Sequence, residues 1–245
     1  MGHRGNLILA VTTLALAACD DIDEGYAVLP AESCTVPVEL DLATEPTPPD
    51  RIPDAPATGH VLALSWSPEF CRFRADVDRH AGQCRDNRFG FILHGLWPQA
   101  GAGPHPRSCR LAEPVNEAVA REHFCMMPSA WLQQHQWASH GTCGWGSPDA
   151  YFAASKRLWD DLVRPDLFAL SRREDLTAAN IRAAFVVANP DLPPSAVGIQ
   201  TNNRGWLEEV FVCMDLEFAP RPCAAREYGA DDGTEVSVWR GGRTG

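Results

Sequence analysis

Lysine is almost absent from this chain, and basic charge is scarce overall. Lys156 is the single lysine among 21 basic residues, and 32 acidic residues outnumber them, so the formal net charge is -11. Domains that coat nucleic acids usually carry a basic face. The charge balance therefore argues against such a protein, but it leaves room for an enzyme that contacts a few phosphates locally.

Closely spaced cysteine pairs and membrane-length apolar segments are also missing. No C-x-x-C pair occurs among the nine cysteines, which argues against a zinc ribbon. The apolar run from Leu7 to Leu16 is too short for a membrane-spanning helix. Because Arg4 precedes this run and small residues follow it, residues 1–18 are predicted to be an export signal.

The end of the export signal allows two processing sites. Leu16-Ala17-Ala18-Cys19 resembles the bacterial lipobox, in which the cysteine becomes the lipidated first residue of the mature chain. Ordinary cleavage after Ala17 or Ala18 is the alternative. Removing Cys19 leaves eight cysteines, an even number that suits four disulfides in an oxidising compartment. We therefore predict a periplasmic protein that touches the membrane only through a lipid on Cys19.

Residues 19–58 are predicted to form an acidic, proline-rich tether. Seven prolines fall between Pro30 and Pro56, and such a composition resists helix and sheet. Cys34 is expected to staple the first half of the tether to the following domain. No internal repeat is present, so residues 59–245 are predicted to be one domain, and we expect a monomer.

Strand and helix patterns are mixed within this domain. Apolar alternation predicts strands in HVLALSW (60–66), RFGFILHGLWP (88–98), AVGIQTN (196–202) and WLEEVFVCMDLEF (206–218). Helical spacing predicts helices over 128–141, 149–163 and 177–187. Because strands and helices do not alternate strictly, we predict an α+β fold with a mostly antiparallel central sheet, flanked by helices and stapled by disulfides.

The helix predicted over 128–141 carries two histidines five residues apart. At about 100° per residue, one broad face holds several side chains that are expected to meet a substrate. These side chains are Trp131, Leu132, His135, Gln136, Ser139 and His140. Trp137 points away from that face and is expected in the core.

Metal binding and cysteine catalysis are both poor explanations of this segment. A zinc-binding helix places two histidines four residues apart with a Glu between them, whereas His135 and His140 are five apart with no Glu. A nucleophilic Cys143 would need a free thiolate beside a base. The even cysteine count assigns Cys143 to a disulfide instead, so neither a metal site nor a thiol nucleophile is expected.

A third imidazole suggests proton transfer. His94 ends an alternating strand on the face opposite the core residues, and Gly95 and Trp97-Pro98 follow it. Two imidazoles of opposite protonation state can take a proton from one oxygen and give one to another. A nearby indole can stack a base without reading its edge. Together these groups suit cleavage of an RNA phosphodiester by the neighbouring 2′-hydroxyl.

The two histidine segments resemble the signature segments of the ribonuclease T2 family. FILHGLWP (91–98) is similar to the first, and HQWASHGTC (135–143) is similar to the second, which is usually H-E-W-x-K-H-G-T-C. ALSWSPEFC (63–71) resembles the first strand of the family, and residues 206–223 resemble its late strand and closing cysteine pair. The resemblance thus covers roughly residues 60–223.

This resemblance implies an endoribonuclease that needs neither metal nor cofactor and cleaves single-stranded RNA with low base specificity. His140 would be the base on the 2′-hydroxyl, and His94 the acid to the leaving 5′-oxygen. His135 would help to hold the phosphate, and Trp97 would stack a base. The products would be a 2′,3′-cyclic phosphate and then a 3′-phosphate.

The resemblance also implies two disulfides. It pairs Cys109 with Cys143 and Cys213 with Cys223. Three connectivities remain open for the other cysteines, which are Cys34, Cys71, Cys84 and Cys125.

Two positions depart from the family pattern. Gln136 replaces the usual Glu, and its amide can still donate a hydrogen bond to a phosphoryl oxygen. Ser139 replaces a lysine that would stabilise charge developing on the phosphate, and losing one such donor typically costs about 10²–10³ in rate. An arginine elsewhere could compensate for it: Arg72, Arg74 or Arg182.

Gln99 stands where the family often has an acidic or small residue after the Trp-Pro pair, so the base preference stays open. We expect Gln99 to contact the substrate. These departures support a second hypothesis from a different class. The chain would then be a weakly active or inactive relative that binds RNA or phosphate.

Overall fold

The structure is a computed structural model that describes residues 1–2, 34–42 and 50–241. Most of the predicted export signal, the lipidation site at Cys19 and residues 20–33 and 43–49 of the predicted tether lie outside the described residues. Within the described ranges, none of the helices is both long enough and apolar enough to cross a membrane.

An antiparallel sheet forms the centre of the fold, with the strand order β2-β1-β4-β3. In the described part of the chain its strands are β1 (Gly59–Trp66), β2 (Phe91–Gln99), β3 (Val197–Thr201) and β4 (Leu207–Met214). Each lies within or next to a segment whose alternation predicts a strand. The α+β prediction with an antiparallel sheet is therefore confirmed.

Helices pack around this sheet. They are α1 (Ser67–Cys71), α2 (Ala81–Cys84), α3 (Glu117–Glu122), α4 (Ala130–Ser139), α5 (Pro148–Asp161), α6 (Leu167–Leu170), α7 (Ala178–Ala188) and α8 (Ala225–Tyr228). The longer helices α4, α5 and α7 are those that the sequence predicts. The short ones carry too few turns to show a clear period.

The main core lies between one face of the sheet and these longer helices. Leu64 and Trp66 of β1 pack in it with Trp137 of α4, Phe152 of α5 and Phe185 of α7. Trp137 is fully buried, as the sequence predicts. Ser129 is the N-cap of helix α4, and its hydroxyl accepts a hydrogen bond from the backbone N–H of Leu132.

A β-bulge interrupts the pairing of β1 with β2. Ala63 pairs with Gly95 and Leu64 with Leu93, so His94 is the extra residue on β2. A bulge bends its strand and re-aims the side chain there. Leu93 is buried in the main core, whereas His94 is partly exposed on the opposite face. The sequence correctly predicts that His94 faces away from the core.

Four disulfides staple the described part of the chain. The pairs Cys109–Cys143 and Cys213–Cys223, which the family resemblance implies, are both present. The connectivity left open by the sequence is resolved as Cys34–Cys125 and Cys71–Cys84. The predicted staple at Cys34 is thereby confirmed.

The described stretches of the predicted tether lie against the domain. The backbone N–H of Thr35 donates to the side-chain oxygen of Asn87 at 2.6 Å. Ile52 forms an antiparallel bridge with Arg107. These contacts attach residues 34–42 and 50–58 to the domain, whereas the role of the tether as a spacer stays a prediction.

Candidate active site

His94 is held by a carboxylate on the same face of the sheet, two strands away. Its Nδ1–H donates a hydrogen bond to Oε1 of Glu209 on β4. Strand β1 lies between β2 and β4, and Ser65 pairs with Glu209 there. A partner on Nδ1 fixes the tautomer and orientation of an imidazole, which leaves Nε2 for a substrate.

Glu209 is a site residue that sequence reasoning missed. Its neighbours Val210 and Val212 point into the main core, so Glu209 lies on the opposite face of β4. A carboxylate on the face of the sheet that also carries His94 was the available signal. Its partner could not be identified, because the strand order is a tertiary property.

His140 follows the last turn of α4, and its backbone N–H donates to the carbonyl of Gln136 at 2.9 Å. The residue is half-buried, but Nδ1 of its ring is shielded from solvent and has no hydrogen-bond partner among the described residues. Burial lowers the pKa of His140 well below its usual value of 6.5, and the positive charge of Arg107 lowers it further. His140 is therefore a neutral base over most of the physiological range.

Trp97 connects the two histidines. Its ring centre lies 5.0 Å from that of His94 and 5.4 Å from that of His140. Its indole N–H donates to the side-chain oxygen of Gln136 at 2.7 Å. A Cβ on Gly95 would come within 2.2 Å of that oxygen and 2.4 Å of the indole nitrogen. Glycine at this position therefore leaves room for the hydrogen bond between the two side chains.

His135 lies on a second aromatic stack. Its ring is nearly parallel to that of Trp131, with ring centres 5.2 Å apart and planes 12° apart. The guanidinium carbon of Arg79 lies 4.6 Å from the centre of the Trp131 ring. A cation at this distance from an indole is attracted by the ring. Trp131 is thereby packed between a positive charge and the imidazole.

A cleft of about 480 Å³ begins at His94 and His135. Trp131 and Leu132, which the sequence predicts as substrate contacts, line it. Its other lining residues are Ser65, Glu69, Phe70, Phe73, Arg74, His80, Gln83, Ile92, Ser129, Asn202, Arg204, Glu208 and Glu209. Trp97 and His140 are not in its lining, so the cleft extends from the His94 side of the histidine cluster.

The structure does not bring Ser139 to the site, which corrects its expected position on the exposed helix face. Ser139 is fully buried, and its hydroxyl has no hydrogen-bond partner among the described residues. Its carbonyl accepts a hydrogen bond from the backbone N–H of Ser108 at 2.8 Å. Ser139 is hidden because the chain around Ser108 covers the last turn of α4.

Gln99 also faces away from the cleft. It is buried, and its side-chain amide donates to the carbonyl of Trp97 at 3.4 Å, so it is not placed as the substrate contact that the sequence predicts. Gln136 is buried as well, but its bond to Trp97 places it between the two histidine segments.

Of the three arginines expected to replace the family lysine, only Arg74 lines the cleft. Arg182 is buried and pairs with Asp232 at 2.7 Å, which excludes it from the site. Arg72 lies 4.2 Å from the centre of the Trp239 ring, outside the cleft lining. Arg74 lines the cleft, with its guanidinium carbon 4.6 Å from the centre of the Phe70 ring.

Arg107 is the arginine whose charge acts most on His140, and sequence reasoning did not consider it. Its neighbour Ser108 is bonded to Ser139, the residue before His140. The guanidinium also pairs with Asp50 at 3.0 Å. The arginine therefore lies beside the buried serine that replaces the family lysine.

Comparison with known proteins gives a consistent result. Residues 59–217 match the model of the ribonuclease T2 family. A ribonuclease of Aeromonas hydrophila is 45% identical over 174 residues, which cover 64% of this chain and 72% of the relative. Ribonuclease I of Escherichia coli is 29% identical over 212 residues, 69% of this chain and 79% of the relative.

A third relative is matched over a smaller share of its length. A probable ribonuclease of Haemophilus influenzae is 29% identical over 188 residues, which cover 70% of this chain but only 63% of the relative. The chain thus spans less than two thirds of that protein.

Solved structures share the fold at low sequence identity. Trichomaglin, described as an S-like ribonuclease, superposes with a TM-score of 0.59 at 19% identity, over 74% of this chain and 97% of its own. RNase NT in complex with 5′-AMP superposes with a TM-score of 0.58 at 19% identity, over 74% of this chain and 98% of its own.

Proposed function

The chain belongs to the ribonuclease T2 family, and from this premise we propose that it is an endoribonuclease that cleaves single-stranded RNA without a metal ion. The observation that carries the proposal is the contact of Trp97 with both His94 and His140. The two imidazoles have different surroundings, one paired with a carboxylate and one buried, which suits opposite roles in proton transfer.

His140 is the general base in this mechanism. It takes the proton of the 2′-hydroxyl, and the 2′-oxygen then attacks the neighbouring phosphorus. The lowered pKa of His140 supports this role, because the imidazole remains neutral in mildly acidic solution.

His94 is the general acid. Its Nε2 gives a proton to the 5′-oxygen as the bond between that oxygen and phosphorus breaks, which leaves a 2′,3′-cyclic phosphate on the other fragment. The carboxylate of Glu209 accepts the hydrogen bond from Nδ1 and holds the ring in place, which leaves Nε2 toward the substrate. Water then opens the cyclic phosphate to a 3′-phosphate, with the two histidines in exchanged roles.

His135 and Arg107 are the groups that stabilise negative charge on the phosphate in this mechanism. His135, which lines the cleft, binds a phosphoryl oxygen, and Gln136 holds Trp97 beside it. Arg107 supplies the cation that the family usually draws from a lysine. Its pairing with Asp50 keeps the guanidinium near the end of α4. Charge placed before the reaction is among the largest contributions to catalysis.

Trp97 stacks the base on the 5′ side of the scissile bond. Stacking accepts every base, since each has a π-face. The amide of Gln99 is directed to its own strand and is not available to a base edge. These features support low base specificity.

Export to the periplasm, a lipid anchor at Cys19 and a monomeric state belong to the same proposal. The N-terminal sequence supports the first two. An oxidising compartment is the one in which four disulfides persist.

The decisive experiment is cleavage of a dinucleotide in excess EDTA. Wild-type protein should cleave it and release the cyclic phosphate first, whereas His94→Ala and His140→Ala should abolish turnover with unchanged circular dichroism. His123→Phe is a matched control, because His123 stacks on Phe152 outside the site. Loss of wild-type activity on chelation would contradict the two-histidine mechanism.

A second function is favoured by the buried Ser139 at the lysine position. In that case the chain would bind RNA or phosphate and turn it over weakly or not at all. Tight binding of a single-stranded oligonucleotide without its cleavage would support this alternative.

A further inference from the structure

The cleft continues past the histidines to a rim of aromatic and basic side chains. We call Phe73, Arg74 and Arg204 the outer rim, and all three line the cleft. Phe73 is 63% exposed, which is unusual for so large an apolar ring. Since burial does not explain its position, its exposed face is available to a ligand.

Two guanidinium groups hold the ring of Phe73. Those of Arg72 and Arg204 lie 5.3 Å and 5.5 Å from its centre. Arg72 is itself fixed, because it lies 4.9 Å from the centre of the Trp206 ring and 4.2 Å from that of Trp239. The exposed aromatic ring is therefore backed by packed side chains, and little side-chain entropy would be lost when a flat ligand stacks on it.

Charge along the cleft also favours a polyanion at the outer rim. Three carboxylates line the cleft, but Glu69 is paired with Arg72 and Glu209 is bonded to His94. Glu208 is the remaining one, and burial raises its pKa, as do the neighbouring carboxylates. The arginines of the outer rim are exposed, so the net charge they present there is positive.

We propose that the outer rim binds nucleotides of single-stranded RNA on the 3′ side of the scissile bond. Phe73 stacks a base, and the guanidinium groups of Arg74 and Arg204 contact phosphates on either side of it. Aromatic rings interleaved with cations are the usual means of binding single strands without sequence preference. The site lies beyond the two nucleotides joined by the scissile phosphate.

The direction of the strand rests on the proposed function. His94 donates its proton to the leaving 5′-oxygen, which belongs to the nucleotide on the 3′ side. Because His94 lines the cleft whereas Trp97 and His140 do not, the 3′ portion of the substrate enters the cleft. The 5′ portion lies on the Trp97 side.

The test compares three substrates: a dinucleotide, the same dinucleotide extended by two nucleotides at its 3′ end, and one extended equally at its 5′ end. For wild-type protein, kcat/KM should rise on the order of fivefold to tenfold with the 3′ extension. In Phe73→Ala and Arg204→Ala the ratio of extended to unextended kcat/KM should approach one. The effect of the 5′ extension should be the same in all three proteins.

Two control variants match the tested side chains. Val187→Ala removes another exposed apolar side chain, and Arg157→Ala removes another arginine that lies over a phenylalanine. Neither residue lines the cleft, so both variants should keep the gain from the 3′ extension. A wild-type protein without that gain, or a Phe73→Ala variant that keeps it, would overturn the proposal.

Binding separates this proposal from the proposed function. A fluorescent oligonucleotide with 2′-O-methyl groups cannot be cleaved, because it has no free 2′-hydroxyl. Phe73→Ala should weaken its binding on the order of fivefold, and Arg204→Ala should reduce the slope of log affinity against log salt by roughly one. Equal binding by wild type and both variants would refute the outer rim even if the enzyme proved inactive.

Discussion

The amide oxygen of Gln136 accepts a hydrogen bond from the indole N–H of Trp97 at 2.7 Å, and this bond joins helix α4 to strand β2. The helix positions His135 and leads into His140, and the strand carries His94. A polar contact between two buried or half-buried groups thus links the segments that supply the imidazoles.

The bond between Gln136 and Trp97 can be tested with two substitutions. Gln136→Glu keeps an oxygen acceptor and should cleave RNA within about threefold of wild type. Gln136→Leu leaves the indole N–H unpaired, which costs about 1–3 kcal/mol of stability and releases Trp97. We expect its kcat/KM to fall at least about tenfold, measured on a dinucleotide. Equal activity of both variants would show that the contact does not position the site.

Glu209 is expected to act through His94. Glu209→Gln weakens the hydrogen bond that orients the His94 ring, so kcat should fall on the order of tenfold to a hundredfold with little change in KM. Glu208→Gln is the matched control, since that neighbouring carboxylate also lines the cleft but is not bonded to His94. A larger effect of Glu208→Gln than of Glu209→Gln would contradict the assignment.

Arg107 is expected to supply the missing cation. Arg107→Ala should lower kcat/KM by about 10²–10³, the usual effect of losing one transition-state donor. Asp50→Asn breaks the same ion pair but keeps the guanidinium, so its activity should stay close to wild type. If both variants behave alike, the ion pair has a structural role and Arg107 is not the cation.

Ser139→Lys complements that test. Because Ser139 is fully buried, the ammonium group would enter the packing between α4 and the chain around Ser108. We expect lower thermal stability and no gain in rate, since burying an unpaired charge is costly. A tenfold faster variant would show that the site lacks a cation and that the last turn of α4 can open.

The pH dependence of cleavage follows from the burial of His140. Because burial lowers the pKa of His140 well below its usual value of 6.5, kcat/KM should persist below pH 6.5. Arg107→Ala removes a positive charge, which should move this acidic limb to higher pH. An acidic limb at or above 6.5 in wild type would exclude His140 as the buried base.

The stability of the fold, like its activity, should decrease at low pH. Burial lowers the pKa of several histidines: His60, His80, His105, His123 and His140. Below about pH 6.5 the unfolded chain binds more protons than the folded one. The free energy of unfolding therefore falls as the pH is lowered, by at most about 1.4 kcal/mol per pH unit for each histidine. His123→Phe should flatten the decline in melting temperature between about pH 7.5 and pH 5. An unchanged decline would mean that His123 does not titrate on unfolding.

The strands and helices with a periodic pattern of apolar residues were predictable from the sequence. The strands around His94 and Val210 alternate, and the helix around His135 has its own cap at Ser129, so each leaves a local period in the sequence. Glu209 and Arg107 leave no such pattern in the sequence, because each acts on a histidine that only the tertiary fold brings near it. Sequence reasoning placed Ser139 on a free face because a helical wheel shows which residues share a side but not what covers that side.

The close contact at Gly95 makes the proposed catalysis depend on the distance between β2 and α4. The proposed general base follows α4 and the proposed general acid lies on β2, and a Cβ on Gly95 would collide with the bonded side chains of Gln136 and Trp97 that join the two elements. A displacement of about 1 Å between them can cost about a hundredfold in rate. Far-ultraviolet spectra and melting curves do not register so small a shift. Turnover is therefore a more sensitive gauge of packing between α4 and β2 than any measure of folding.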